Sequence, residues 1–436
     1  MVSLLTVAVA GIGGLVAVIA YVGVRKFVIG LLDLYRKFRL FWLKLQGSTP
    51  EKEVEARIVT GKAWDEYCDS LKAAGAALVS SGCPTDAFNQ AEGYRYLSRL
   101  VRCSLENFME CADVHAPKLV AIANGDRAAP VKIGSDNPDN LYQSATISGK
   151  IVYRVKVKRG TVAYLGFGTQ SGSYGAPGGL STVDYKEAVE FEMDKDGNFE
   201  IVVSSEENKP AGCKNWMKTL SDPESAMLIV RQTYNDHDNE IPATVTIEKL
   251  EGQTLPTPVT CEQVDEALKK SALFVGGASF MFARWAKGFQ KHVNELPLFD
   301  QEVSNKAGGD PNIRYFHSYW RLADDECLVI SATPPKVETW NFQLNNHWME
   351  SLDYRYYQIH VNMHMAHYRK DKSIRIVIAH SNPAELGLEN ADAYDWINTT
   401  GHNCGTMCFR WIRPENENFP HPKPEVVKFK DLPQIL

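Results

Sequence analysis

Seven of the eleven histidines lie between His317 and His402, so imidazole chemistry is concentrated in the last third of the chain. The tightest group is His360-Val361-Asn362-Met363-His364. As a strand it puts His360, Asn362 and His364 on one face and His367 on the other, because strand side chains alternate. As a helix it would group His360, His364 and His367 instead. The strand is preferred, because Val361, Met363 and Met365 alternate and Arg369 to Ser373 has turn composition before the apolar run Ile374–Ile378. His317 sits in a second aromatic strand, Tyr315 to Trp320. With Asp353 and Arg355, these residues form the candidate ligand pocket: His317, Asp353, Arg355, His360, Asn362 and His364. Imidazoles on one strand face can bind a transition metal or hydrogen-bond across a cleft. No carboxylate or cysteine stands at ligand spacing on the same strand, which predicts a pocket without tightly bound metal. The plainer alternative is a polar sheet face that meets protein partners only.

No complete catalytic motif accompanies these residues. Gly166-Phe167-Gly168 follows a strand pattern, but Ser171 stands where a dinucleotide fingerprint needs its third glycine. The glycines continue to Gly179 with no helix signal after them, so the segment reads as a flexible loop at a sheet rim. Asp194, Asp196 and Asn198 begin like a calcium loop. Phe199 replaces its invariant glycine and Ser205 its bidentate glutamate, so a hairpin turn is expected between Phe191–Met193 and Phe199–Val203. There is no nucleophile elbow, no His-Glu-x-x-His and no P-loop. Cys404 and Cys408 near His402 lack a fourth zinc ligand and read as strand cysteines. No catalytic residue, metal site or cofactor is assigned.

The N-terminal segment bears on where these residues are held. Val2 to Val24 carries no charge, and about 20 apolar residues suffice to cross a bilayer. Arg25, Lys26, Arg36, Lys37, Arg39 and Lys44 follow. This predicts a single-pass transmembrane helix over residues 1–24 with the large domain cytosolic, the endoplasmic reticulum being preferred to the plasma membrane. A signal peptide cleaved after Val18-Ile19-Ala20 is the alternative, disfavoured by the missing basic start. Ala10, Gly13, Gly14, Ala17 and Ala20 fall at three- and four-residue spacing and predict packing against another transmembrane protein, unless they reflect only the frequency of small residues in membrane helices. Residues 25–49 read as a basic amphipathic segment, with Arg25, Lys26, Arg36, Lys37, Arg39, Trp42 and Lys44 on membrane lipid. The rest of the chain is acidic, which argues against nucleic-acid binding. Nine scattered cysteines show no framework and fit a reduced compartment. The sequon Asn398-Thr399-Thr400 is the one feature pointing to the opposite topology.

Beyond the stem, residues 50–135 read as helical, 136–255 as a first β region, 256–300 as a helical insert and 301–436 as a second β region. Ile147, Ile151, Tyr153, Val155 and Val157 alternate as in a half-buried strand. The fold class is α+β, mainly β: an N-terminal transmembrane helix, a helical segment, then antiparallel jelly-roll or sandwich-like β domains with a helical insert.

Several strings belong together: Ala91-Glu92-Gly93-Tyr94-Arg95-Tyr96-Leu97, Asn137-Pro138-Asp139-Asn140-Leu141-Tyr142 and Gly308-Gly309-Asp310-Pro311-Asn312-Ile313-Arg314-Tyr315. Trp340–Leu344, Trp348–Arg355 and Gly405–Trp411 continue the pattern. With these the chain resembles bacterial and eukaryotic proteins grouped as domain of unknown function 1214, over about residues 60 to 415 and most firmly in the last third. The resemblance implies a jelly-roll-like β domain and brings no activity, cofactor or catalytic residue. The expectation is a non-catalytic, membrane-anchored accessory or binding subunit of a membrane assembly, with lipid binding or lipid transport as its concrete form. The alternative is a membrane-anchored enzyme acting on a lipid-soluble or small polar substrate through the histidine-rich pocket.

Overall fold

The computed structural model describes residues 23–123, 130–172, 180–221, 226–306, 309–388 and 394–436. The chain divides into two compact units, residues 1–66 with 259–266, and residues 67–258 with 267–436. In the first, α1 spans Val24–Leu45 and α2 spans Pro50–Val59. Thr49 caps α2 by accepting from the Lys52 N–H, and proline stands in its first turn, where no backbone donor is needed. Arg57 reaches Asp265 at 3.0 Å and Glu66 at 2.7 Å.

The expected transmembrane helix and the integral-membrane location drawn from it are not supported. Among the described residues no helix is long and apolar enough to cross a membrane. Helix α1 carries Arg25, Lys26, Asp33, Arg36, Lys37, Arg39 and Lys44, and each charge at a bilayer centre costs about 2.5–3.5 kcal/mol. Residues 1–22, with the stripe Ala10, Gly13, Gly14, Ala17 and Ala20, lie outside the described residues. The lipid-facing reading of Arg25, Lys26, Arg36, Lys37, Arg39, Trp42 and Lys44 rested on that span and stays an expectation. Arg39 pairs with Glu53, and Trp42 stacks on Phe38 at 6.4 Å.

Helices α3 (Lys62–Ala74), α4 (Ala87–Leu105) and α5 (Cys261–Phe289) follow in the chain. Asp86 caps α4, accepting from the Asn89 N–H at 3.0 Å. Gly93, Tyr96, Leu100 and Cys103 recur at helical spacing and are buried. Tyr96, Leu100 and Cys103 pack with Phe274, Ala278 and Phe282 of α5 and with Trp348 and Met349.

The strands build two sandwiches. In chain order, the first contains β1 (Val120–Ala123), β2 (Asn140–Ile147), β3 (Tyr153–Lys158), β4 (Tyr164–Gly172), β5 (Leu180–Glu187), β6 (Asn198–Ser204), β7 (Trp216–Lys218), β8 (Ala226–Thr233) and β9 (Thr244–Lys249). Its sheets run β1-β2-β8-β4-β5 and β7-β6-β3-β9. Ala145, Phe167, Leu228 and Val230 from one sheet meet Tyr153, Val155, Ile201 and Val203 from the other. The second contains β10 (Ile313–Arg321), β11 (Glu326–Ala332), β12 (Thr339–Leu344), β13 (His360–Asn362), β14 (Ile374–Ala379), β15 (Asp395–Asn398), β16 (Cys404–Ile412) and β17 (Lys423–Lys428). Its sheets run β10-β16-β12-β13 and β15-β14-β11-β17, joined by a core of Phe316, Phe342, Val361, Phe409, Trp411, Ile330 and Ile376.

Three local expectations change. Ile147 and Tyr153 belong to strands of different sheets, because the chain turns through Gly149, where a Cβ would strike the Leu220 carbonyl. Gly166 and Gly168 lie inside β4, paired to β8 and β5, rather than in a rim loop. A Cβ on Gly166 would collide with the Tyr185 hydroxyl. Asp194–Asn198 is a turn closed by the Asp194 N–H on the Asn198 carbonyl at 2.9 Å, but Phe191–Met193 before it is not a strand.

A candidate ligand site between the sandwiches

The register of the sheet β10-β16-β12-β13 sets two polar rows. His317 pairs with Cys408, Cys408 with Gln343, and Gln343 with His360. Tyr315, Arg410, Asn341 and Asn362 form the next row. Alternation turns both rows away from the apolar face that carries Phe316, Phe409, Phe342 and Val361. In the first sandwich, Tyr142, Arg231, Gly166 and Glu187 are aligned across β2, β8, β4 and β5. Hydrogen bonds tie this outer face and its loops to the second sandwich: Asn341 donates to Asn137 Oδ1 at 2.7 Å and Arg410 to the Ser135 carbonyl at 2.6 Å. Tyr185 and Tyr164 donate to Asp310 at 2.8 and 3.1 Å.

The expected pocket residues do not converge. His360 is buried with Nε2 on Asp139 Oδ1 at 2.9 Å, and Asn362 donates to the same oxygen at 3.0 Å. β13 ends at Asn362, because its side-chain oxygen accepts from the N–H groups of His364 and Met365 and turns the chain. His364 therefore leaves the sheet face and lies exposed, 3.3 Å from Asp236. His317 shares the row of His360 but sits three strands away, about 14 Å at 4.7–4.9 Å per strand. Asp353 and Arg355 pair with each other at 2.8 Å. Among the described residues no group of three or more His, Cys, Asp and Glu could hold a metal.

The structure instead gathers Tyr142, Arg231, Tyr315, His317 and Arg410. Arg410 is 4% exposed. It donates to Gln343 at 2.5 Å, Asn341 at 3.3 Å and the Ser135 carbonyl, all neutral acceptors. Among the described residues no carboxylate lies within ion-pair reach of it. Arg231 lies 3.8 Å from Asp310 Oδ2. The Tyr142 hydroxyl accepts from Asn140 at 2.8 Å, and that of Tyr315 accepts from the Asp310 N–H at 3.4 Å. Neither phenol finds an acceptor for its own proton among the described residues. His317 is stacked between Phe289 and Tyr315, each 5.3 Å away, and its Nδ1 has no hydrogen-bond partner among the described residues. Burial pushes the phenols of Tyr142, Tyr164, Tyr185 and Tyr315 above their ordinary range. Burial, then the Arg410 charge, pushes His317 down to about 3, so its ring is neutral.

Cys408 approaches His317 Nε2 at 3.9 Å. An activated cysteine needs a lowered thiol pKa and a basic partner. Here burial pushes the thiol up to about 11 while the imidazole is held neutral, the reverse polarity.

A buried clamp supports the layer. Lys132 donates to the Ser351 and Leu352 carbonyls at 2.5 and 2.6 Å and lies 4.7 Å from the centre of the Tyr354 ring. Asp136 accepts from the Ser351 N–H at 3.0 Å and hydroxyl at 2.6 Å. Burial moves Lys132 down to about 8 and Asp136 up to about 6. Glu350 accepts from Arg99 at 2.7 Å and Asn346 at 3.0 Å. The histidine pattern does not point to Arg410, Arg231, Tyr142 or Asp310. The motif strings carry the signal for three of them: Asn137–Tyr142, Asp310–Tyr315, Trp340–Leu344 and Gly405–Trp411 all supply residues to this layer, whereas Arg231 lies outside every string.

Fold and site define a two-sandwich protein with a buried, donor-rich layer between its sheets. It belongs to the same family as an uncharacterised protein from Burkholderia cenocepacia. The two are 41% identical, the likeness covers 86% of this chain and 99% of that chain, and the TM-score is 0.78. A Vibrio parahaemolyticus protein is 11% identical, covering 82% of this chain and 100% of that one at a TM-score of 0.44, too distant to carry an argument. No family model matches the chain. Zerumbone synthase from Zingiber zerumbet is 34% identical over 83 residues, 18% of this chain, and the match spans only 31% of that curated relative's length.

Proposed function

We propose that this protein is a non-catalytic binding module that holds a small polar ligand in the layer between its sandwiches. Buried Arg410, which meets neutral acceptors only, beside the half-buried hydroxyls of Tyr142 and Tyr315, which find no acceptor of their own among the described residues, carries this reading. A buried donor without an acceptor costs about 1–3 kcal/mol, and a ligand that supplies acceptors removes that cost and stabilises the folded state. The inverted polarity of Cys408 and His317 supports binding over turnover.

The test is a thermal-shift screen of small polar molecules against the whole protein and a Tyr142→Phe/Tyr315→Phe double variant, which keeps both rings and removes both hydroxyls. At least one class should raise the melting temperature of the parent and lose most of that effect in the variant. Each responding molecule should be recovered chemically unchanged after incubation. Equal responses from both proteins, or conversion of the molecule, would overturn the reading.

A further inference from the structure

Resting on that reading, we infer the class of the ligand: a monocarboxylate seated on Arg410, with Asp310 limiting the site to a single negative charge. Two guanidinium groups enter the layer from opposite sandwiches, Arg231 from β8 and Arg410 from β16. They are not equivalent. Arg231 has Asp310 beside it at 3.8 Å. Asp310 is fixed from three further directions, by the hydroxyls of Tyr185 and Tyr164 and by the Asn312 N–H at 2.9 Å. That pair is neutral as a unit. Glu187, at the edge of the same row, is neutralised by Arg413 and accepts from Asn312 at 3.2 Å.

Arg410 has no such counter-charge. Asp136 is the carboxylate whose charge it feels, and Asp136 is committed to Ser351 and lies in the field of Lys132. Among the described residues Arg410 is therefore the guanidinium of this layer answered by dipoles alone, while Lys132 lies in the field of Asp136 and Glu350. Burying an ion without a partner costs several kcal/mol, and an anion brought to it offsets much of that cost. A second ligand charge would meet no second cation, because the Arg231 guanidinium is already answered. The remaining donors, the Tyr142 and Tyr315 hydroxyls, are neutral and suit the second oxygen of a carboxylate.

The chemistry predicts an order of preference rather than bare affinity. Isothermal titration calorimetry of the whole protein at pH 8.5, where phosphate is doubly charged, would use a monocarboxylate series from acetate through benzoate to phenylacetate, with benzamide as neutral isostere and phthalate and inorganic phosphate as dianions. The best monocarboxylate should bind about tenfold or more tighter than benzamide and than either dianion. Tyr142→Phe, which keeps the ring and whose fold circular dichroism checks, should weaken it about fivefold by removing one hydrogen bond. Asp310→Asn, where circular dichroism shows it folded, should shift preference towards phthalate, because it removes the carboxylate charge beside Arg231. Benzamide binding as tightly as benzoate overturns the charge assignment but leaves the binding reading standing. So does failure of every monocarboxylate while neutral molecules from the screen bind. Failure of all molecules overturns both.

Discussion

Ser135 and Met349 both hold left-handed backbone, at φ 63° and 58°, and the Ser135 N–H donates to the Met349 carbonyl at 2.7 Å. The bond pins the loop that reaches Arg410 against the turn that follows β12. Ser135 is held from two further directions: its carbonyl accepts from Arg410 and its hydroxyl from Asn345 Nδ2 at 2.7 Å. For an L-residue this backbone costs about 1–2 kcal/mol, so the surrounding contacts must outweigh it. Ser135→Ala should lose about 1–2 kcal/mol of stability by leaving Asn345 Nδ2 with only the longer bond to Thr406 at 3.3 Å. Ser135→Gly loses the same acceptor but relieves the backbone, and should come out closer to the parent than the alanine variant in denaturant unfolding. A glycine variant less stable than the alanine one would contradict this.

Gly93 on α4 lies under the Trp348 ring. A Cβ there would sit 2.7 Å from Trp348 Cζ2, and that indole is buried and held by its Nε1 on the Asn89 carbonyl at 2.9 Å. Gly93→Ala should therefore destabilise by about 1–3 kcal/mol through overpacking, despite alanine's better helix propensity. A melting temperature equal to or above the parent's would show that the indole can move.

Asp136 links stability to pH. Its ordinary value is 3.8, and burial raises it to about 6 in the folded protein. The folded form thus keeps the proton through a range where the unfolded form has lost it. Its contribution is fully present below about pH 4 and is lost as pH rises through 6, by up to about 3 kcal/mol. The stability difference between the parent and Asp136→Asn, measured by urea unfolding, should change across that window in favour of the variant and be flat above pH 7. A flat difference throughout would mean that Asp136 is not raised.

Cys408 should be inert in the native state. It is fully buried, its thiol is pushed up to about 11, and thiolate is the reacting form. Exposed Cys68 should label readily with iodoacetamide at pH 7.5, and Cys408 should label only on unfolding. Rapid native labelling at Cys408, mapped by mass spectrometry, would reopen the case for nucleophilic chemistry beside His317.

The sequence by itself determined the features that depend on near neighbours. The alternation of Tyr153, Val155 and Val157 is legible because β3 buries one face, and the Arg369–Ser373 turn because its residues close on themselves, Arg369 N–H to the Ser373 carbonyl at 2.9 Å. The strings around Asp139, Asp310 and Arg410 were visible as patterns, without roles. Charge content was also legible, but the uncharged N-terminal run led to a membrane span that no described helix supports.

Tertiary structure decided the rest. Whether His317 and His360 meet depends on how many strands separate them in the sheet, which neither strand encodes alone. That His364 leaves the face depends on which way the Asn362 side chain turns. Arg410 reads as an ordinary strand residue until folding removes it from water without a carboxylate, while Arg231 receives Asp310 from elsewhere in the chain. Periodicity is a property of one segment. Burial and charge pairing are properties of surfaces brought together from distant segments, and only their contact gives a buried charge its partner or leaves it without one.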